Sequence, residues 1–167
     1  MAPASARTMR PIVKPVIPSG WRDLRKMRMR ALAESPMAFL SDPAAESAWS
    51  QAQWMAACEQ SHWFIARIGD SAVGLGRVAD YPDESPRLHL EAMWVDPPRR
   101  KQGIGLELLD YAEGHARGRG ETALGLWVIG GNDAALRLYE SRGYVATGRE
   151  GPLPDGRDER EFAHQLT

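Results

Sequence analysis

Apolar positions along the chain follow two periods, and the change from one to the other divides it. Trp21, Leu24, Met27 and Ala31 fall three or four apart, which predicts a helix with one buried stripe. Its end is set before Ser35-Pro36, because the residue preceding a proline is pushed out of helical backbone. Pro18-Ser19-Gly20 punctuates the chain ahead of it and makes Ser19 the expected N-cap. A second helix is expected over Glu46 to Gln60, with Trp49, Met55 and Ala56 near one face. Upstream, Arg10 to Val16 alternates as a short strand that Pro11 and Pro15 confine to a sheet edge. The first nine residues read as a loose tail.

The period shortens at His62. Trp63 to Ile68 predicts a strand, Gly69-Asp70-Ser71 a turn, and Ala72 to Ala79 the partner strand. A polar connection, Asp80 to Pro86, leads to a third run, Leu88 to Val95. After Asp96-Pro97-Pro98 and a basic glycine loop, a helix is expected from Gly103 to Arg117. Ile104, Leu108, Ala112 and Ala116 form its buried stripe and Leu109 widens it. Thr122 to Ile129 follows as a strand, Asn132 to Arg142 as a helix closed by Gly143, and Tyr144 to Thr147 as a strand start. A last strand is expected within Glu159 to Leu166. The early meander implies antiparallel pairing, and the later strand–helix–strand unit implies a right-handed parallel crossover. A single domain over residues 10 to 167, with helices on the faces of a mixed α/β (α+β) sheet, satisfies both.

Composition mainly excludes. The 167 residues carry 21 Lys plus Arg against 22 Asp plus Glu, and the net charge of −1 offers no field for gripping nucleic acid or a lipid surface. Cys58 stands alone, so no internal disulfide and no cysteine-based zinc site is expected. No run approaches the roughly 18 apolar residues of a membrane span. Met1 to Arg10 also lacks the apolar stretch of a signal peptide. A soluble, cytoplasmic protein is the expectation. His62, His89, His115 and His164 show no metal-ligand spacing, so no metal is expected. Arg22, Arg25, Lys26, Arg28 and Arg30 read as the wet side of the first helix.

The chemistry lies in Arg100-Lys101-Gln102-Gly103-Ile104-Gly105, between a strand and a helix. A helix N-terminus leaves backbone N–H groups unpaired and partially positive, and two glycines let an oxygen-rich group approach without a Cβ in the way. With Arg99, Arg100 and Lys101 alongside, a diphosphate is the natural ligand. The P-loop pattern fails because no Gly-Lys-Ser/Thr follows, and the dinucleotide fingerprint fails because its third glycine position holds Leu108. Taken alone, the loop reads more readily as a tight strand-to-helix turn.

The flanks change that balance. Leu90-Glu91-Ala92-Met93-Trp94-Val95-Asp96-Pro97, the Arg-x-x-Gly-x-Gly loop, and Asn132-Asp133-Ala134-Ala135-Leu136-Arg137-Leu138-Tyr139-Glu140-Ser141-Arg142-Gly143-Tyr144 together resemble the GNAT superfamily of acetyl-CoA-dependent N-acetyltransferases over residues 62 to 148. The resemblance implies a mixed, mostly antiparallel sheet of about six to seven strands flanked by about four helices. It implies that the backbone of Met93, Trp94 and Val95 pairs with the pantetheine arm of acetyl-CoA. One N–H near Met93 or Trp94 then faces the thioester oxygen. Arg100, Lys101, Gln102, Gly103, Ile104 and Gly105 take the diphosphate. Asn132 contacts the pantetheine end, caps the following helix, or does both. By the same resemblance Tyr139, two helical turns on, is expected to protonate the leaving thiolate.

Glu91 is the expected base that frees the acceptor amine, with His89 in reserve, although an outward polar position on a half-exposed strand explains either. Strand alternation places both on the side of Met93 and Val95. Peptide-terminal acetyltransferases carry an acid in the next strand, and Leu126-Trp127-Val128-Ile129 has none. The reading is therefore acetyl transfer to a primary amine of a small metabolite, by direct attack in a ternary complex. A peptide or protein acceptor and a non-catalytic CoA-binding module are the alternatives. A homodimer is a possible assembly, and Trp94 and Trp127 are candidates for the acceptor or cofactor cleft, with the core the safer reading for both.

Overall fold

The structure, a computed structural model, describes residues 9 to 167. The expected tail, Met9 apart, lies outside the described residues. Strand β1 (Ile12–Pro15) pairs only with β2 (His62–Ile68) and forms one edge of the sheet, where a proline removes no ladder bond that matters. Helix α1 (Trp21–Glu34) buries Leu24, Met27, Ala31 and Leu32 and stops at Ser35. Ser19 does not cap it. Pro18, its φ already near the helical value, starts a 3-10 turn over Pro18–Gly20, so the cap position falls on Gly20 with no side-chain bond.

The single helix expected over Glu46 to Gln60 is two. Asp42 caps a short α2 (Pro43–Ser47), accepting from the Ala44 amide at 2.9 Å. Ser50 then opens α3 (Gln51–Gln60) with a reciprocal capping box. Its hydroxyl accepts from the Gln53 amide at 3.2 Å, and the Gln53 side chain accepts from the Ser50 amide at 2.8 Å.

Beyond β2 come β3 (Ser71–Asp80), β4 (Leu88–Val95), α4 (Ile104–Gly118), β5 (Ala123–Ile129), α5 (Asp133–Ser141), β6 (Val145–Pro152) and β7 (Asp158–Gln165). Among the described residues seven strands lie in the order β1-β2-β3-β4-β5-β7-β6, and of these only β4 and β5 run parallel. The α4 stripe is buried as its spacing predicts: Ile104, Leu108, Leu109, Ala112 and Ala116 are each at most 1% exposed. With α5 it covers one face of the sheet, over Phe64, Leu90, Leu126 and Phe162. Helices α1 and α3 cover the other face, where Leu24, Met27 and Trp54 meet Trp63, Leu75 and Trp94.

Two irregularities shape the middle of the sheet. β4 and β5 are paired only at His89–Gly125 and Leu90–Leu126, so a gap opens between them toward their C-terminal ends. Next to it β4 bulges. Trp94 lies opposite Leu75 and Glu91 opposite Arg77, three steps against two, with Ala92 at φ +52°. The extra residue inverts the alternation. Met93 and Val95 pack toward α4 and α5, whereas Ala92 and Trp94 pack on the α1 side, where Glu91 also meets Arg77 beside Trp63. The expectation that Glu91 and His89 share a side with Met93 and Val95 is thus wrong: they stand on the opposite face.

Candidate functional site

A cleft of about 550 Å³ occupies the gap, bounded by the ends of β4 and β5, the start of α5, and the segment after α1. Its lining comes from both faces of the sheet.

On the α4 face lies the glycine loop. Lys101 (φ +60°) and Gly103 (φ +83°) both adopt left-handed backbone, which turns the chain sharply into α4. Gly103 is the N-cap residue and has no side chain to satisfy the first amides. None of the amides of residues 101 to 106 finds an acceptor among the described residues. Gly105 matters for packing as well, since a Cβ there would lie 3.1 Å from Leu138 of α5. Arg100 is already engaged: its Nε donates to the Val95 carbonyl at 3.0 Å and its Nη2 to Glu34 at 2.8 Å. The Gln102 side chain donates to the Pro98 carbonyl at 3.2 Å. Loop amides and the Lys101 charge thus remain for an anion, while Arg99 lines a separate pocket beside α1. The backbone of Met93, Trp94 and Val95 has no β5 partner. Because the Asp96 amide bonds back to Val73 at 2.9 Å, alternation turns the Val95 peptide groups toward the gap.

Asn132 caps α5, its side chain accepting from the Ala135 amide at 3.3 Å, and it also lines the cleft. Tyr139 lines it two turns further on, only 8% exposed, with no hydrogen-bond partner for its hydroxyl among the described residues. Burial pushes its phenol up to about 12.

Across the sheet stand the acids. Glu91 accepts from Arg77 and from the Tyr81 hydroxyl, one oxygen each. Burial, and then Glu91 itself, push Tyr81 up to about 12, so it stays a donor. Glu159 of β7 lines the same cleft, and burial together with the Glu91 charge holds its carboxyl above the usual range. Sequence reasoning missed Glu159, although the register puts it directly opposite Ile129, in the stretch of β5 that has no acid of its own.

His89 is 1% exposed and its Nε2 sits 2.8 Å from Glu161, itself fully buried. Glu161 also accepts from Thr147 at 2.7 Å and Arg149 at 3.1 Å. Gly125 makes room for the imidazole, since a Cβ there would fall 2.7 Å from Nε2. Glu84, His89 and Glu161 bring one ligand-type atom each within 4.8 Å, a grouping that histidine spacing did not suggest. Arg149 donates to both carboxylates and supplies the positive charge there. Trp94 is core, with its Nε1 on Glu34 at 2.8 Å, whereas Trp127 lines the cleft beneath the Arg149 guanidinium.

Comparison with known proteins finds the acetyltransferase (GNAT) family model matching residues 22–144. Acetyltransferase Atu2258 of Agrobacterium fabrum is 39% identical over 69 residues, 41% of this chain and 49% of that protein. The ribosomal protein bS18-alanine N-acetyltransferase of Escherichia coli is 41% identical over 68 residues, 39% of this chain and 46% of that protein. The match thus spans about half the length of these curated relatives. The putative acetyltransferase yncA of Salmonella typhimurium, solved with acetyl-CoA, superposes with a TM-score of 0.72 at 16% identity, over 95% of both chains. The crystal structure of the Escherichia coli ribosomal-protein alanine N-acetyltransferase gives a TM-score of 0.68 at 21% identity, again over 95% of both. At those identities the structural likeness speaks to the fold, including the seven-stranded, mostly antiparallel sheet.

Proposed function

The chain belongs to the GNAT acetyltransferase family, and from that premise we propose that it moves the acetyl group of acetyl-CoA directly to the primary amine of a small metabolite. The observation that carries the reading is the gap between β4 and β5, with unpaired helix amides on one face and two carboxylates on the other.

Each residue then has a task set by where it stands. Amides of Lys101 to Gly105 hold the diphosphate, and the edge of Met93, Trp94 and Val95 that β5 leaves unpaired holds the pantetheine arm as an added strand would. The Met93 N–H, on the gap side of β4 two residues before Val95, meets the charge that grows on the thioester oxygen, a kind of contact worth roughly 3–4 kcal/mol. Glu91 takes the proton that the acceptor ammonium must shed, with Glu159 beside it drawing the cation in. Tyr139 donates to the departing sulfur. A phenol at about 12 is a weaker acid than a thiol near 8.5, so outright transfer would run uphill by about 5 kcal/mol. Tyr139 therefore holds a hydrogen bond and passes a proton on only as it receives one.

Similarity to an enzyme that acetylates a ribosomal protein's alanine favours a second reading, a peptide amino terminus as acceptor, with Glu159 standing in for the acid β5 lacks. One experiment separates them: release of free thiol from acetyl-CoA over a panel of small amines and short peptides. Small amines should be turned over faster than peptides, and Tyr139→Phe should lower kcat by about 100-fold while acetyl-CoA still binds. Acetyl-CoA binding with no turnover on any acceptor would instead favour a non-catalytic CoA-binding module.

The proposal takes residues 10 to 167 as one domain acting in the cytoplasm, in keeping with the lone, buried Cys58. Among the described residues no helix is long and apolar enough to cross a membrane.

A further inference from the structure

Four buried side-chain polar atoms have no hydrogen-bond partner among the described residues, and three of them, Arg28 Nη1, Arg77 Nε and His89 Nδ1, belong to residues that line the cleft. Buried polar atoms are so seldom left unpaired that such a concentration asks for a cause. Arg28 is 4% exposed, with Nε and Nη2 fixed on Glu46 at 2.9 and 3.0 Å, and Nη2 also donates to the Ser41 hydroxyl at 2.7 Å. This fork leaves Nη1 as the unused corner of the guanidinium. Arg77 is held by Glu91 through Nη2 alone, leaving Nε without a partner. Both guanidinium carbons lie over the Trp63 ring, at 5.7 and 5.0 Å. Each positive charge already has its carboxylate, so what is missing is an oxygen acceptor. Ser41 accepts from Arg28 and keeps its own O–H to give.

Toward β7 the imbalance has the opposite sign. Glu159 has no cationic partner among the described residues and lies close enough to Glu91 to feel its charge. Spare donors near α1 and a spare carboxylate near β7 match the two ends of a small zwitterion.

We propose that the acceptor is a free α-amino acid or a close analogue, its carboxylate received by Arg28, Arg77 and Ser41 and its amine turned toward Glu91, Glu159 and the gap between β4 and β5. This deepens the acetyl-transfer reading and rests on it.

The test starts with the unaltered protein. Thiol release from acetyl-CoA is measured with free α-amino acids, their carboxamides, amines without any carboxyl group, and a tripeptide. Free amino acids should show kcat/KM about 100-fold above the carboxamides and simple amines, with most of the difference in KM, because the analogues leave buried donors unpaired. Arg28→Gln alone would strand Glu46 as a buried charge and threaten folding, so the variant is the paired exchange Arg28→Met with Glu46→Met. In it the ratio between acids and carboxamides should collapse toward one. Equal turnover of acids and amides, a preference for the tripeptide, or a ratio untouched by the paired exchange would each overturn the inference and leave acetyl transfer standing. Acetyl-CoA binding, read by calorimetry, with no thiol released for any member of the panel would sink the acetyl-transfer reading, and this inference with it.

Discussion

Gly103 combines two demands that pull on one residue. Its φ of +83° lies where an L side chain costs about 1–2 kcal/mol, yet nothing stands within 4 Å of where a Cβ would go. Gly103→Ala should therefore lower stability by about that amount through backbone strain alone. It should also weaken CoA binding, because a methyl group then projects beside the unpaired amides; calorimetric titration checks the second effect and thermal melts the first. His62 makes a different kind of prediction. Its ring stacks on His115 at 3.7 Å, its Nε2 lies 3.0 Å from the Tyr111 hydroxyl, and burial, then His115 and Arg119, push it down to about 4. His115 is lowered as well, by burial and Arg119. Between pH about 6.5 and about 4 the unfolded chain binds protons that the folded chain refuses, so stability falls as pH drops through that window. Half-exposed rings are screened, which leaves a loss of about 1 kcal/mol; Tm against pH should show it and His62→Gln should flatten it.

At the scale of elements, the legible parts were those where one residue type forces one conformation. The buried stripe from Ile104 to Ala116 fixed α4, Gly143 closed α5, and the ends of β4 at Leu88 and Val95 were read correctly. Ser19 was misplaced because Pro18 also starts a turn, and a proline outranks a cap when both are present. Ser50 was overlooked inside what looked like one helical run. Ser50→Ala should accordingly cost about 1 kcal/mol and Ser19→Ala less than about 0.5, a contrast that denaturant melts would read directly. The β4 bulge left no trace in the sequence, since alanine has no preference for a φ of +52°; pairing with β3 imposes it. For the same reason Arg28, Glu159 and Glu161 were invisible as site residues. Arg28 and Glu159 line the cleft from α1 and β7, Glu161 meets β4 at His89, and only the folded sheet brings them together. The anion-holding loop was legible because its residues are contiguous.

For the molecule as a whole, the seam between β4 and β5 is where the sheet is least complete, with two residue pairs joining four strands to three. The two groups of strands are otherwise tied by α4, which packs on both β4 and β5, and by buried bonds such as His89 to Glu161. Anything that binds the folded seam must stabilise the fold by mass action. Acetyl-CoA at 100 times its Kd should add about 2.7 kcal/mol and raise Tm accordingly, and amide hydrogen exchange should slow most at Met93 and Val95. A shift in Tm without protection there would place the ligand elsewhere.

The inverted alternation of β4 also bears on how two substrates queue. With Met93 and Tyr139 looking out one side and Glu91 and Glu159 the other, donor and acceptor come in by separate doorways and meet back to back at a window in the sheet. Neither blocks the other's route, so initial-velocity lines should intersect instead of running parallel, and free CoA should not compete with the amine.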